Sequence, residues 1–438
     1  MAPLAALAVS WPFVLAHGSP TLGGASDAGF QLPAWSVWAA GVLVVALSFL
    51  LVAASTTRQF DHRPAVPPAV TPATPRATAW RALGAVFVLA LAAQAARAIW
   101  SDAASAVIAP SLVWTGLMGV LLAGAYLFGD AQRHLAPLDP WLARLGGRAR
   151  WTWRAGAWPA VALALGLFAV ETLRPAGAAG LAYAAIAYLG LAVSVSLVWG
   201  WATWRDEWDA IGKAFRLFAQ HAPLHRDAAT GRVAWRAPWQ GLRALRFPRL
   251  SDLAFLVTLL FGVTFDAFLG TQTARQVIGQ YGATGQIGLL LVGDAVFLAA
   301  FVLTARACRR VAETAQADLA GRLAASLVPI AVGYHAAHNL PYVLQQLPVL
   351  TTVLINPFGL TYSPIAAPWT FGNAGVALIA VAQLCLITTG HVIAVVTAHE
   401  TAHDSFHSRV QAYRSEWPLT AIMLFYTLIG LALVGGHA

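Results

Sequence analysis

The chain has 438 residues, of which 59% are hydrophobic and only 10% are charged. A soluble domain carries about 25% charged residues, so this composition excludes an ordinary soluble protein. Apolar runs of about 20 residues, the length that crosses a bilayer as a helix, recur along the chain. The sequence therefore predicts an all-α fold, a polytopic transmembrane helical bundle in contact with the lipid bilayer.

The net charge of +9 invites comparison with nucleic-acid-binding proteins, but the placement of the basic residues argues against a nucleic-acid partner. All but three of the 27 lysines and arginines lie in alternate connections between the apolar runs, the exceptions being Arg97, Arg174 and Arg275. The positive-inside rule produces this alternation, because cytoplasmic loops are enriched in Lys and Arg. The placement of the basic residues therefore predicts which connections lie in the cytoplasm.

The N-terminal segment resembles a signal peptide. An apolar run from Leu4 to Leu15 ends in Val14-Leu15-Ala16, a small-residue cleavage pattern, although no basic residue precedes the run. Residues 1–16 are thus either a signal peptide that is removed before His17 or an uncleaved interfacial segment. Residues 17–438 are predicted to form a single integral membrane domain.

Ten spans are predicted, with both termini in the periplasm of a bacterial cell and the protein in its inner membrane. The basic connections 56–79, 129–157 and 204–251 are predicted to be cytoplasmic, because they hold most of the arginines. The spans are roughly 34–55, 80–100, 107–128, 158–173, 178–203, 252–270, 286–306, 323–350, 373–399 and 417–435.

The long connection 204–251 begins with an amphipathic pattern. Apolar residues recur at helical spacing at Trp208, Ile211, Phe215 and Phe218, while charged residues take the other positions. Two interpretations are open: a helix that lies in the cytoplasmic membrane interface, and a helix that packs on the cytoplasmic face of the protein itself.

Ionisable residues within the predicted spans are costly and therefore indicate function. Five of them are the candidates for an intramembrane site: Asp266, Asp294, His335, His338 and His391. His335 and His338 are three residues apart, which places both imidazoles on one face of a helix. At about 1.5 Å per residue, Asp266 and His338 reach the same depth, and His335 and His391 lie about one turn and two turns lower.

Imidazole and carboxylate ligands suit zinc or copper, and three imidazoles leave a position for water. We therefore expect His335, His338 and His391 to hold a divalent metal, with Asp266 as a fourth ligand or a general base. Asp294 is a second catalytic candidate. Two alternatives are open: these groups hydrogen-bond one another and stabilise helix packing, or the histidines bind a haem.

A second motif reads His399-Glu400-Thr401-Ala402-His403 and matches the H-E-x-x-H pattern of zinc proteases. The motif falls at the predicted cytoplasmic end of a span, with His407 one turn further along. The alternative is a solvated helix end whose histidines complement the helix dipole.

Several stretches of the sequence resemble those of one protein family; they include 328–331, 334–338, 390–392 and 398–399. The family that they resemble is the bacterial polytopic membrane family of fenitrothion hydrolases. Two residues depart from the pattern of that family. Asn339 stands where an aromatic residue is expected, and Glu400 stands where Asp or a basic residue is expected.

The resemblance implies hydrolysis of an organophosphate triester, a small hydrophobic substrate. The expected metal site would carry out this reaction by lowering the pKa of a bound water molecule. The alternative function is non-enzymatic: a copper transport or delivery protein, or a respiratory accessory subunit that carries haem.

Overall fold

A computed structural model of the protein describes most of residues 105–435 and scattered residues between 39 and 97. The predicted signal segment 1–16 and His407 lie outside the described residues, as do most of the first two predicted spans. The gaps after residue 105 are 130–138, 147–150, 174–176, 227–232, 244, 270, 314–317, 359–365 and 407.

The described chain is helical apart from one short antiparallel hairpin, in which β1 (Leu224–Arg226) pairs with β2 (Val233–Trp235). The predicted all-α class is therefore confirmed. The helices are α1 (Ser105–Pro110), which continues through a π-helical segment (Ser111–Leu121) into α2 (Leu122–Phe128), α3 (Asp139–Gly146), α4 (Trp158–Leu173), α5 (Gly177–Trp199), α6 (Trp201–Thr203), α7 (Ala210–Phe218), α8 (Pro238–Leu242), α9 (Leu250–Leu269), α10 (Gln272–Val311), α11 (Leu319–Leu323), α12 (Leu327–Ile355), α13 (Asn373–Ser405) and α14 (Arg409–Gly435).

Three helices of the described chain are long and apolar enough to cross a membrane: Ile108–Phe128, Gln272–Val311 and Asn373–Ser405. The apolar helices Trp158–Leu173 and Tyr183–Trp199 are shorter. These lengths are compatible with a membrane protein. Eight of the ten predicted spans overlap described helices.

Helix α12 lies at the centre of the fold and packs against α13 through two glycines. An ideal Cβ atom on Gly390 would lie 2.6 Å from the carbonyl oxygen of Pro329, and one on Gly333 would lie 2.8 Å from that of Leu386. Small residues let helix backbones approach this closely, which strengthens their dispersion contact. The contact sets which faces of α12 and α13 meet.

The amphipathic segment forms α7, which packs on the protein itself. Phe215 and Phe218 are 1% and 3% exposed, and they belong to the main hydrophobic core. On the polar side of α7, Lys213 pairs with Asp252 at 2.9 Å, and Arg249 joins Asp252 to Glu207. The packing of this helix on the protein itself, as the second interpretation expects, is therefore confirmed, and its cytoplasmic location stays a prediction.

Asp209 caps the first turn of α7, and its removal should destabilise the protein. Its Oδ1 accepts hydrogen bonds from the amide of Gly212 at 2.9 Å and from the hydroxyl of Tyr188 at 2.7 Å. Burial raises the pKa of this carboxyl. Asp209→Ala should cost about 0.5–2 kcal/mol for the lost cap, measured as thermal unfolding in detergent.

Asp206→Ala is the matched control for this cap. The side chain of Asp206 is half-exposed, and in the described part of the chain it bonds only the neighbouring Arg205. Exposed ion pairs contribute about 0–1 kcal/mol. Equal losses in the two variants would contradict the capping role of Asp209.

Candidate functional site

A cavity of about 100 Å³ opens between α4, α7, α9, α12 and the helix that runs from α1 into α2. Its walls are mainly apolar, with α7 closing one side through Phe215 and Phe218. Mostly apolar clefts with a few convergent polar groups are the usual form of small-molecule sites. The polar residues that line it are Glu171, Asp266, His335, His338 and Asn339.

A short polar contact in the cavity joins α9 to α12. The Nε2 atom of His338 lies 2.6 Å from Oδ2 of Asp266, and the two side chains are 24% and 9% exposed. This contact agrees with the common depth predicted for the two residues. A carboxylate at one ring nitrogen fixes the tautomer and orientation of an imidazole, which leaves the other nitrogen available for proton transfer.

His335 lies one turn below His338 on the same face of α12, and both line the cavity, as the spacing predicts. Its ring makes edge contacts with Tyr126 and Phe218, at centroid distances of 6.1 and 5.9 Å. Its Nδ1 is buried without a hydrogen-bond partner in the described chain. The amide of Asn339 donates to the carbonyl oxygen of His335 at 2.9 Å.

His391 is fully buried on α13, away from the cavity lining. Its Nδ1 donates to the carbonyl oxygen of Ile387 at 2.8 Å, and its ring lies against Tyr334. The contact with α13 runs through Gly333, and positions 333 and 335 are roughly 200° apart around a helix axis. His335 and His391 therefore lie on different sides of α12.

The predicted metal site of His335, His338 and His391 is not assembled in the structure. These histidines do not form a group of three possible ligands within 4.8 Å of one another; in the described part of the chain, one such group exists elsewhere. The depth predicted from the sequence placed His391 near the other two histidines. The rotation of α12 against α13 separates His391 from His335. Asp294 is likewise buried on α10 without lining the cavity.

The group that does assemble consists of His399 and His403 on α13 and Glu416 on α14. The two histidines belong to the H-E-x-x-H motif, and they share a helix face as its spacing predicts. Glu416 was not found from the sequence, because it lies on the next helix and no short motif contains it. The intervening Glu400 lies 3.4 Å from the Nε atom of Arg243.

No known family model, curated protein or solved structure matches this chain. The resemblance to fenitrothion hydrolases therefore stays a prediction.

Proposed function

We propose that the protein is an integral protein of the bacterial inner membrane that hydrolyses small, apolar phosphotriesters in the cavity beside α12. The observation that carries this proposal is the 2.6 Å contact between His338 and Asp266 inside an apolar cavity. A carboxylate–imidazole pair supplies a general base, and apolar walls suit the substituents of a triester. The fenitrothion-hydrolase resemblance implies the same substrate class.

In the proposed reaction, Nδ1 of His338 takes a proton from a water molecule as the water oxygen bonds to phosphorus. The phosphorus–oxygen bond to the leaving group breaks, and the electron pair leaves with that oxygen. Asp266 holds the ring in place and stabilises the imidazolium that forms. The imidazolium then returns its proton to the solvent or to the leaving group, which restores the pair.

The first experiment is a hydrolysis assay on the full chain, purified in detergent, with a dialkyl nitrophenyl phosphotriester. Release of nitrophenolate above the rate of a preparation that carries His338→Ala supports the proposal. A wild-type rate equal to the rate of that variant would reject it.

A second candidate function, metal transport or delivery, is favoured by the cluster of His399, His403 and Glu416. Metal analysis and an absorption spectrum of the purified protein separate the candidates. Bound copper or zinc without triester turnover favours metal handling. A Soret band would favour the haem-carrying alternative.

The proposed topology has ten spans and both termini in the periplasm, supported by the alternation of basic connections. Reporter fusions within 56–79, 129–157 and 204–251 should all give cytoplasmic signals, because each connection is rich in arginine. Fusions at the two termini are the comparison and should give periplasmic signals. A periplasmic signal from any of the three connections would overturn the topology.

A further inference from the structure

We infer that His399, His403 and Glu416 bind one divalent transition-metal ion of the zinc type and thereby join α13 to α14. This site is separate from the cavity, and the inference does not depend on the proposed hydrolase function. Two histidines and one glutamate form a known three-ligand set for zinc.

The spacing of the three side chains is close to that of a coordinated metal. His399 and His403 are one helical turn apart, and their ring centroids lie 4.4 Å from each other. One ligand atom from each of the three residues lies within 4.8 Å of the other two. With bonds of 2.0–2.1 Å, tetrahedral ligand atoms lie about 3.3 Å apart, so small side-chain movements complete the site.

The present contacts of these side chains leave one of the candidate ligand atoms without a partner in the described chain. Nδ1 of His399 bonds the Glu416 carboxylate at 3.0 and 3.1 Å, and both side chains are nearly fully buried. Nε2 of His403 is buried without a hydrogen-bond partner in the described chain. An unpartnered buried polar atom is costly, and a metal ion bound between the two helices would satisfy it.

The surroundings argue for a binding site rather than a protease centre. In a zinc protease, the glutamate that follows the first histidine activates water. Here Glu400 lies beside Arg243, which also bonds Asp404 at 2.8 Å. The Tyr413 ring covers the histidines instead, at centroid distances of 5.9 and 5.5 Å. A metal in this position would link the C-terminal end of α13 to the N-terminal part of α14.

The test measures metal binding by the full chain in detergent, first stripped with a chelator and then titrated with Zn²⁺ or Co²⁺. We expect one ion per chain and a higher unfolding temperature when Zn²⁺ is present, because an ion that binds only the folded state stabilises it. His403→Ala and Glu416→Gln should each lower the affinity by more than the roughly 10- to 100-fold that residues supporting a ligand contribute.

His391→Ala is the matched control, since His391 is a buried histidine on the same helix that lies outside the cluster. It should keep full metal stoichiometry. If His403→Ala does not fold, the variant His403→Cys tests the same position, because it adds a spectroscopic signal to the Co²⁺ complex. A new thiolate-to-cobalt charge-transfer band should appear only if position 403 coordinates the ion.

Three results would overturn the inference: no binding by the wild type, unchanged affinity in folded Glu416→Gln and His403→Ala, or loss of the metal in folded His391→Ala. The last would return the metal to the set predicted from the sequence, which includes His391. Because the readout is metal content, absence of triester turnover leaves this test intact, and failure of metal binding leaves the cavity proposal intact.

Discussion

Asp266→Asn should lower kcat/KM for triester hydrolysis by roughly 10²- to 10⁴-fold, the usual contribution of general acid–base catalysis. The asparagine has nearly the same shape, but it lacks the negative charge that stabilises a protonated His338 across their 2.6 Å contact. The measurement is steady-state hydrolysis by the full chain, with kcat and KM determined separately. A change in kcat with little change in KM indicates loss of catalysis rather than of substrate binding.

Asp294→Asn is the control, because Asp294 is a buried carboxylate of the same protein that does not line the cavity. It should keep most of the activity if it has no catalytic role. The double variant Asp266→Asn/His338→Ala should be no slower than His338→Ala, since the two residues act as a unit. Equal losses in Asp266→Asn and Asp294→Asn, or fully additive losses in the double variant, would contradict the assignment.

Gly390→Ala is expected to destabilise the protein by about 1–3 kcal/mol, the typical cost of overpacking. Its new Cβ atom would lie 2.6 Å from the carbonyl oxygen of Pro329 and 3.3 Å from Cα of Gly333. Both contacts are with backbone atoms, which cannot rotate aside as a side chain can, so α12 and α13 must separate. The measurement is the thermal unfolding transition of the purified protein in detergent.

Gly288→Ala on α10 is the control for this contact, since no atom lies within 4 Å of an added Cβ there. Because alanine favours helix over glycine by about 1 kcal/mol, the control should be neutral or stabilising. A Gly390→Ala variant as stable as the control would mean that α12 and α13 do not pack as closely as described.

Three features of the fold and site were predictable because they depend on local rules. Helical periodicity put His335 and His338 on one face of α12, and both line the cavity. Counting residues from the predicted ends of two spans put Asp266 and His338 at one depth, and they are in contact. The H-E-x-x-H spacing put His399 and His403 together. Each inference needed only the rise and twist of a helix.

Other features depended on how the helices are rotated against one another, which no single segment encodes. The sequence predicts His391 about one turn below His335, yet His391 lies on another side of α12. The glycine contact between Gly333 and Gly390 selects the faces that meet. Glu416 reaches His399 only because α14 folds back along α13. The choice for α7 between membrane surface and protein surface also required its neighbours to be known.

The sequence by itself determined that the fold is helical and predicted a membrane protein, because helical periodicity and an apolar composition are properties of each segment taken alone. It also determined which histidines share a helix face. Only the tertiary structure decided which of those faces meet, since backbone packing at Gly333 and Gly390 sets the rotation of α12 against α13. That rotation left His391 apart from His335, the packing of α9 against α12 placed Asp266 with His338, and the return of α14 completed the cluster with Glu416.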